Sequence, residues 1–353
     1  MRGVVLAGGA GSRLRPITFS MSKQLVPVAN KPILFYGLSD LADAGIEEVG
    51  IIISPETGDE IRRAVGKGDR FGLKRVEFIV QDRPLGLAHA LNMAMPFVDG
   101  DDCLMYLGDN LIKRGVADTV ADFKVHRPNA QILLAEVPNP SEFGVAELNQ
   151  DGVVVRLVEK PKVPPSNLAL VGCYLFDAGV QKAIDSIKPS GRGELEITDA
   201  IQWLIDDGQE VRASMITGWW KDTGKKEDLL HASELVLSDL SEKIRGEVID
   251  TEIRGAVTVG VGSRVVDSQI IGPVVIGDNV EIVRSKLGPN TTIGHGSHIH
   301  DAAIEDSLLM DGAEVSNWKL RFSLMGANTR LTGTPAPGFV ELTVGERSEI
   351  FGT

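Results

Sequence analysis

Cysteine is almost missing from this 353-residue chain: only Cys103 and Cys173 occur, each inside an apolar run. That excludes a disulfide framework or a cysteine-rich zinc site and leaves two free thiols of the kind a reducing cytoplasm keeps. Positive charge is also short, since 36 basic against 49 acidic side chains give a net charge of -13. Such a surface repels phosphate backbones and anionic lipid, so nucleic acid is not an expected partner. No stretch approaches the roughly 20 apolar residues of a membrane helix. The opening MRGVVLAGG has neither the apolar run nor the cleavage site of a signal peptide. The expectation is a cytoplasmic protein with no membrane partner. Disorder is excluded too, because 43% apolar and 24% charged residues are ordinary for a globular chain.

What is present follows two different periodicities. Over the first two thirds, short β-branched runs alternate with longer amphipathic ones, which predicts an α/β fold with an open, mostly parallel twisted sheet of Rossmann-like type. Strands are expected near 4–7, 49–53, 76–81, 103–107 and 132–137, and then, closely set, near 145–148, 153–159 and 170–176. A further strand is expected to end near Trp219, and a helix from Lys226 to about Leu240 closes this region. From Ile253 apolar residues recur at intervals of six, six and five: Ile253, Val259, Val265, Ile270, Ile276, Ile282, Leu287, Ile293, Ile299, Ile304, Met310. The sum is a 17-residue repeat, which predicts a three-sided parallel β-helix whose coils bury their inward rows only by stacking. The domains expected are a catalytic unit over 1–240, the β-helix over 241–315, and a tail over 316–353. The tail leaves the register, carries Pro335 and Pro337, and reads as a cap or docking arm.

The segment richest in chemistry is LAGGAGSRLRPITFSMSK, Leu6 to Lys23, a glycine-rich turn after the first strand. Gly8, Gly9 and Gly11 let backbone N–H groups approach a polyphosphate without Cβ clashes. The dinucleotide fingerprint fails because Leu14 stands where a third glycine is needed, and the P-loop fails for want of Gly-Lys-Ser/Thr. Arg13, Arg15 and Lys23 instead put three cations near one loop, an array suited to phosphates. A plain glycine turn with solvated arginines is the alternative reading.

The ordered run GGxGxRLxPxT followed by SKQLVPVxxKPIL resembles the signature of the sugar-1-phosphate nucleotidylyltransferases. Further blocks keep the same order: Gln81 with Pro84-Leu85-Gly86-Leu87-Ala88-His89-Ala90, then Leu107-Gly108-Asp109-Asn110, Phe143-Gly144-Val145-Ala146, Glu159-Lys160-Pro161, GELEITD from Gly193, and Trp220-Lys221-Asp222-Thr223-Gly224. Together they spread over residues 3 to 238. The solenoid matches the long-form thymidylyltransferase branch, and the resemblance, not the spacing, implies that the β-helix is left-handed.

The resemblance implies attack of a sugar 1-phosphate oxygen on the α-phosphorus of a nucleoside triphosphate, with dTTP and glucose 1-phosphate as substrates and Mg²⁺ as cofactor. Both reactants are anions, so charge neutralisation and alignment are the main tasks. By resemblance, Arg13, Lys23 and Lys160 are catalytic and Asp109 and Asp222 are the metal ligands. Leu6, Gly8, Gly9, Gly11, Ser12, Arg13, Gln24, Gln81, Pro84, Gly86 and Asp109 meet the nucleotide, and Asn110, Gly144, Glu159, Lys160 and Val171 meet the sugar phosphate. Each has a dull alternative: a strand-end turn for Asp109, a helix cap for Asp222, an exposed ion pair for Glu159 with Lys160, core packing for Val171. The resemblance further implies a homo-oligomer. The same reaction with UTP and a silent nucleotide-sugar sensor remain open, as does acetyltransferase activity on the β-helix. His298 and His300 share strand parity where solvent-facing residues belong, so with His295 they are expected to form coil surface rather than a metal or catalytic site.

Overall fold

The computed structural model describes residues 1–334 and 337–353; Pro335 of the expected turn patch lies outside them. The chain divides into two compact units. One comprises Met1–Ala10 with Ile33–Asp222, the other Gly11–Pro32 with Thr223–Thr353.

The first unit is built on a nine-stranded mixed sheet. Arg2–Leu6 lies in the middle, with Glu48–Ile53 parallel on one side and Cys103–Leu107 parallel on the other, and Arg75–Val80 extends the first side. The three inner strands are apolar without alternation because both faces are covered. Ile33–Asp43 and Leu87–Val98 are two of the covering helices. Strand order reverses at Arg2–Leu6, and in open α/β sheets ligands bind beyond the carboxyl ends of strands at such a point. Leu168–Phe176 adds antiparallel to Cys103–Leu107, and Gly144–Leu148 pairs antiparallel with Val154–Glu159. The core gathers Leu91, Phe97, Met105, Leu134, Phe176 and Ile201, among others.

One expectation fails here. The strand placed near Trp219 is two elements: Val211–Met215, parallel to Ala130–Glu136, and Trp220–Asp222, which forms a separate ribbon with Asn110–Ile112. The Gly218 turn, at φ +93°, reverses the chain between them.

The second unit carries three parallel sheets, of seven, seven and five strands, the architecture of a left-handed β-helix. Inward positions stack in columns such as Val265, Ile282, Ile299, Val315 and Leu331. Those side chains are essentially fully buried, and each column supplies one wall of the core. At a corner the backbone N–H cannot join a sheet and must find another acceptor. Side-chain hydroxyls supply it: Ser285 Oγ accepts from Ala302 N (3.1 Å), Ser268 Oγ from Ser285 N (3.1 Å), and Thr251 Oγ1 from Ser268 N (3.1 Å).

Two corrections follow in the solenoid. Contacts 17 residues apart give way to contacts 16 apart after the coil at His298. Ile293 is therefore stacked by Leu309, not by Met310. Strands after Ser316 also stay in the solenoid, with Lys319–Arg321, Leu324–Met325, Arg330–Gly333, Thr343–Val344 and Glu349–Gly352 all pairing in the same three sheets. The last turn spans 19 residues, as between Ser323 Oγ and Leu342 N, and the change of spacing hides the repeat.

The segment 11–32 belongs with this second unit for identifiable reasons. Asn30 Nδ2 donates to Ile293 O at 2.8 Å, and the helix Lys226–Leu237 packs on Pro27–Val28. Gly345 sits so close to Pro16 that a Cβ would lie 3.2 Å from its carbonyl oxygen.

Candidate active site

At the carboxyl ends of the central strands of the first unit, three predicted residues come together. Gly8 follows Arg2–Leu6, Gln81 follows Arg75–Val80, and Asp109 follows Cys103–Leu107. A Cβ on Gly8 would lie 3.4 Å from Ser54 N and 3.8 Å from Gln81 Oε1, so the turn is packed closely between two strand ends. The Gln81 amide is oriented by His89, Nε2 to Nδ1 at 2.9 Å. Gly108 N donates to Leu6 O (2.9 Å), which ties the Asp109 turn to the first strand. Gly86 has φ +105°, and a Cβ there would strike Leu195 O at 2.3 Å. Its glycine is required by the GELEITD backbone, which Leu195 N ties to Leu85 O (2.8 Å) and Leu195 O to Ala88 N (3.0 Å). Pro84 is exposed beside it.

The short ribbon links the segments that carry Asp109 and Asp222. Asp222 pairs with Asn110, the residue after Asp109. Asn110 is buried and its amide is the hub: Oδ1 accepts from Trp220 Nε1 (2.6 Å) and Gly172 N (3.2 Å), and Nδ2 donates to Asp109 Oδ1 (2.9 Å). Gly172 must be glycine for this approach, because a Cβ would fall 2.6 Å from Asn110 Oδ1. It lies where Leu168–Phe176 bulges between Leu170 and Tyr174, which frees its N–H from the ladder. Val171, in the same bulge, is fully buried.

The sugar-side residues form a second cluster. Glu159 pairs with Gly144 across two strands, and Lys160 N donates to Phe143 O (3.0 Å) with Lys160 held at φ +40°. A left-handed conformation in a lysine costs about 1–3 kcal/mol. Glu159 accepts from Thr198 Oγ1 (3.3 Å) and faces Arg192 (3.4 Å) and Lys160 (3.8 Å). Burial pushes its carboxyl above the ordinary range; Lys160 and Arg192 oppose this and Glu196 adds to it. Trp220 joins the two clusters, since its ring meets Phe143 edge-on at 5.3 Å.

Sequence comparison places the chain in a family. Residues 2–239 match the model of the nucleotidyl transferase family. The chain belongs to that family. This nucleotidyl transferase is 46% identical over 351 residues to a glucose-1-phosphate thymidylyltransferase of Streptomyces griseus, covering 99% of this chain and 98% of that one. It is 49% identical over 356 residues to the low-salt glycan biosynthesis nucleotidyltransferase Agl11 of Haloferax volcanii, covering 99% of both. Among solved structures it resembles a proposed glucose-1-phosphate thymidylyltransferase of Bacillus anthracis, in complex with sucrose. There the TM-score is 0.64 at 36% identity, over 69% of this chain and 97% of that one.

Within this nucleotidyl transferase Leu6 and Gly9 belong to the first unit with Gly8, whereas Gly11, Ser12, Arg13, Lys23 and Gln24 fall in the second. Gly11 turns at φ +61°, and Thr18 Oγ1 donates to its carbonyl at 2.7 Å. Arg13 is exposed and lies flat against Gly224, where a Cβ would meet its Nη2 at 3.0 Å. Lys23 and Gln24 are buried, and Gln24 Oε1 accepts from Ser22 Oγ at 2.9 Å. Three residues went unsingled in the sequence: Trp220, Thr198 and Arg192. All lie in or beside quoted blocks, but their partners are distant in sequence. As for metals, among the described residues one group of three or more potential ligands converges, Glu281 with His298 and His300. No helix of the described residues is long and apolar enough to cross a membrane.

Proposed function

We propose that this nucleotidyl transferase joins dTTP and α-D-glucose 1-phosphate to give dTDP-glucose and pyrophosphate. A phosphate oxygen of the sugar attacks the α-phosphorus, forming one P–O bond as the bond to the departing pyrophosphate breaks. The nucleophile is already anionic, so no general base is required. The observation that supports the reading is the pairing of Asp222 with Asn110, the residue after Asp109, because Asp109 follows a central strand at the end where such sheets bind ligands and carboxylates are hard donors.

The donor chemistry fits Mg²⁺, and we assign Asp109 and Asp222 to hold it. When bound, the ion offsets charge on the phosphates. Gln81 hydrogen-bonds the imide edge of the base. Glu159 accepts from sugar hydroxyls, Lys160 binds the sugar phosphate, and Arg13 and Lys23 stabilise the triphosphate and the outgoing group. Thymine and uracil share the edge that Gln81 reads and differ by one methyl, worth about 1–3 kcal/mol of discrimination. The two buried thiols, Cys103 and Cys173, suit a cytoplasmic setting.

The test is pyrophosphate release measured with five nucleoside triphosphates against glucose, N-acetylglucosamine and mannose 1-phosphates, with Mg²⁺ and with excess chelator. The expected result is highest catalytic efficiency for dTTP with glucose 1-phosphate and none without metal. Preference for ATP or GTP, or turnover in chelator, overturns the assignment. A sound fold with no turnover on any pair favours the sensor.

A further inference from the structure

One outward column of the solenoid alternates acidic with basic residue types from coil to coil: Glu247, Arg264, Glu281, His298, Glu314, Arg330, Glu349. Its arginines are engaged at either end, Arg264 with Glu247 (3.8 Å) and Arg330 with Glu314 (2.7 Å) and Glu349 (4.0 Å). Between them Glu281 is left opposite a histidine. Its Oε2 faces two imidazole nitrogens at once, His298 Nδ1 at 3.4 Å and His300 Nε2 at 3.4 Å. The three ligand atoms lie within 4.8 Å of one another.

These separations are long for direct hydrogen bonds, which cluster at about 2.7–3.2 Å. They match another geometry. Ligands about 2.0–2.2 Å from a tetrahedral metal sit roughly 3.3–3.5 Å apart along each edge. Two edges of that figure are already in place, and the third closes by a small swing of the imidazoles. The backbone makes this possible: His298 and His300 are two apart on one strand and point the same way, while Glu281 is the register partner of His298 on the preceding coil. We propose that Glu281, His298 and His300 form a second metal site, for a divalent d-block cation such as Zn²⁺ or Co²⁺, clamping two successive coils. Two imidazoles and one carboxylate select such ions over Mg²⁺ and Ca²⁺, which take all-oxygen shells. The side chains expected to be plain coil surface are solvent-facing, but together with Glu281 they also converge.

The experiment uses the full chain, free of any affinity tag and stripped by chelator, with saturating Mg²⁺ present throughout. Zn²⁺ is titrated calorimetrically, and Co²⁺ is followed by its visible absorption. The expected result is one equivalent bound per chain, with the intense bands of a tetrahedral or five-coordinate ion, and a thermal transition raised by Zn²⁺. His298→Ala and His300→Ala each weaken binding at least tenfold and abolish the Zn²⁺-dependent thermal shift. Glu281→Gln weakens it less. All three keep the wild-type metal-free melting temperature and Mg²⁺-dependent turnover, which separates this site from the proposed catalytic one. Equal Zn²⁺ affinity in wild type and the His298→Ala/His300→Ala double variant, or no stoichiometric binding, overturns the proposal.

Discussion

Asp222 stands directly opposite Asn110, the residue after Asp109, in a ribbon that joins two segments far apart in sequence. If the two carboxylates share one Mg²⁺, removing either charge leaves the phosphates under-neutralised while the fold persists. Asp109→Asn and Asp222→Asn are each expected to lower kcat about 10²–10³-fold, the scale of a lost transition-state electrostatic group. Both should also raise the Mg²⁺ concentration for half-maximal activity. Titrating pyrophosphate release against Mg²⁺ checks this; a change in one variant alone would mean that the pair does not act together.

Trp220 holds Asn110, and Asn110 holds Asp109. Trp220→Phe keeps the ring against Phe143 but removes the indole N–H. One lone pair of a buried amide oxygen then has no donor, at a cost of about 1–3 kcal/mol in stability. With the Asn110 amide free to turn, the Mg²⁺ requirement is expected to rise several-fold, with little change in dTTP KM. A melting curve and a Mg²⁺ titration on the same sample separate the two effects. A loss of stability with unchanged Mg²⁺ dependence would reduce Trp220 to a packing residue.

Gly144 leaves no room for a methyl group. A Cβ would lie 2.8 Å from Thr198 Cγ2 and 3.2 Å from Glu159 Oε2. Gly144→Ala is therefore expected to push Glu159 off its position and raise KM for glucose 1-phosphate about tenfold, about 1.4 kcal/mol of binding, while dTTP KM stays near wild type. The relief is specific: Thr198→Ser deletes Cγ2 but keeps the hydroxyl that donates to Glu159. The double variant Gly144→Ala/Thr198→Ser should recover most of the loss, and failure to recover would show that the clash with Thr198 is not the cause.

Much of this was legible beforehand, for reasons of range. Strand period and the 17-residue repeat are local, so Cys103–Leu107 and the column through Val265 and Ile282 could be read directly. The partnership of Asn110 with Trp220, 110 residues apart, leaves no spacing signal. Coil length carries the remaining lesson. A repeat that shortens to 16 and then lengthens to 19 still stacks, because each inward side chain needs only a partner above it and the corners absorb the difference. The grouping of segment 11–32 with the solenoid rests on contacts such as Asn30 to Ile293, 263 residues away, which no window could reveal.

Glu159 supplies a test in pH. Burial raises its carboxyl above the ordinary value of 4.5, so it takes up a proton at a higher pH than an exposed glutamate does. Because the folded value is the raised one, this group's favourable contribution to stability is present at low pH and lost as pH rises through it. Ligand binding runs the other way, since sugar hydroxyls need the ionised acceptor. KM for glucose 1-phosphate should therefore climb as pH falls below neutrality, ahead of the ordinary glutamate range. The sugar phosphate also titrates, with a second pKa of about 6, but it does so equally for every variant. Glu159→Gln keeps an acceptor oxygen and cannot take a proton. The ratio of variant to wild-type KM is expected to exceed one at neutral pH and to fall toward one on acidification. A ratio constant across the range in which both proteins stay folded would mean that the carboxylate charge plays no part in holding the sugar.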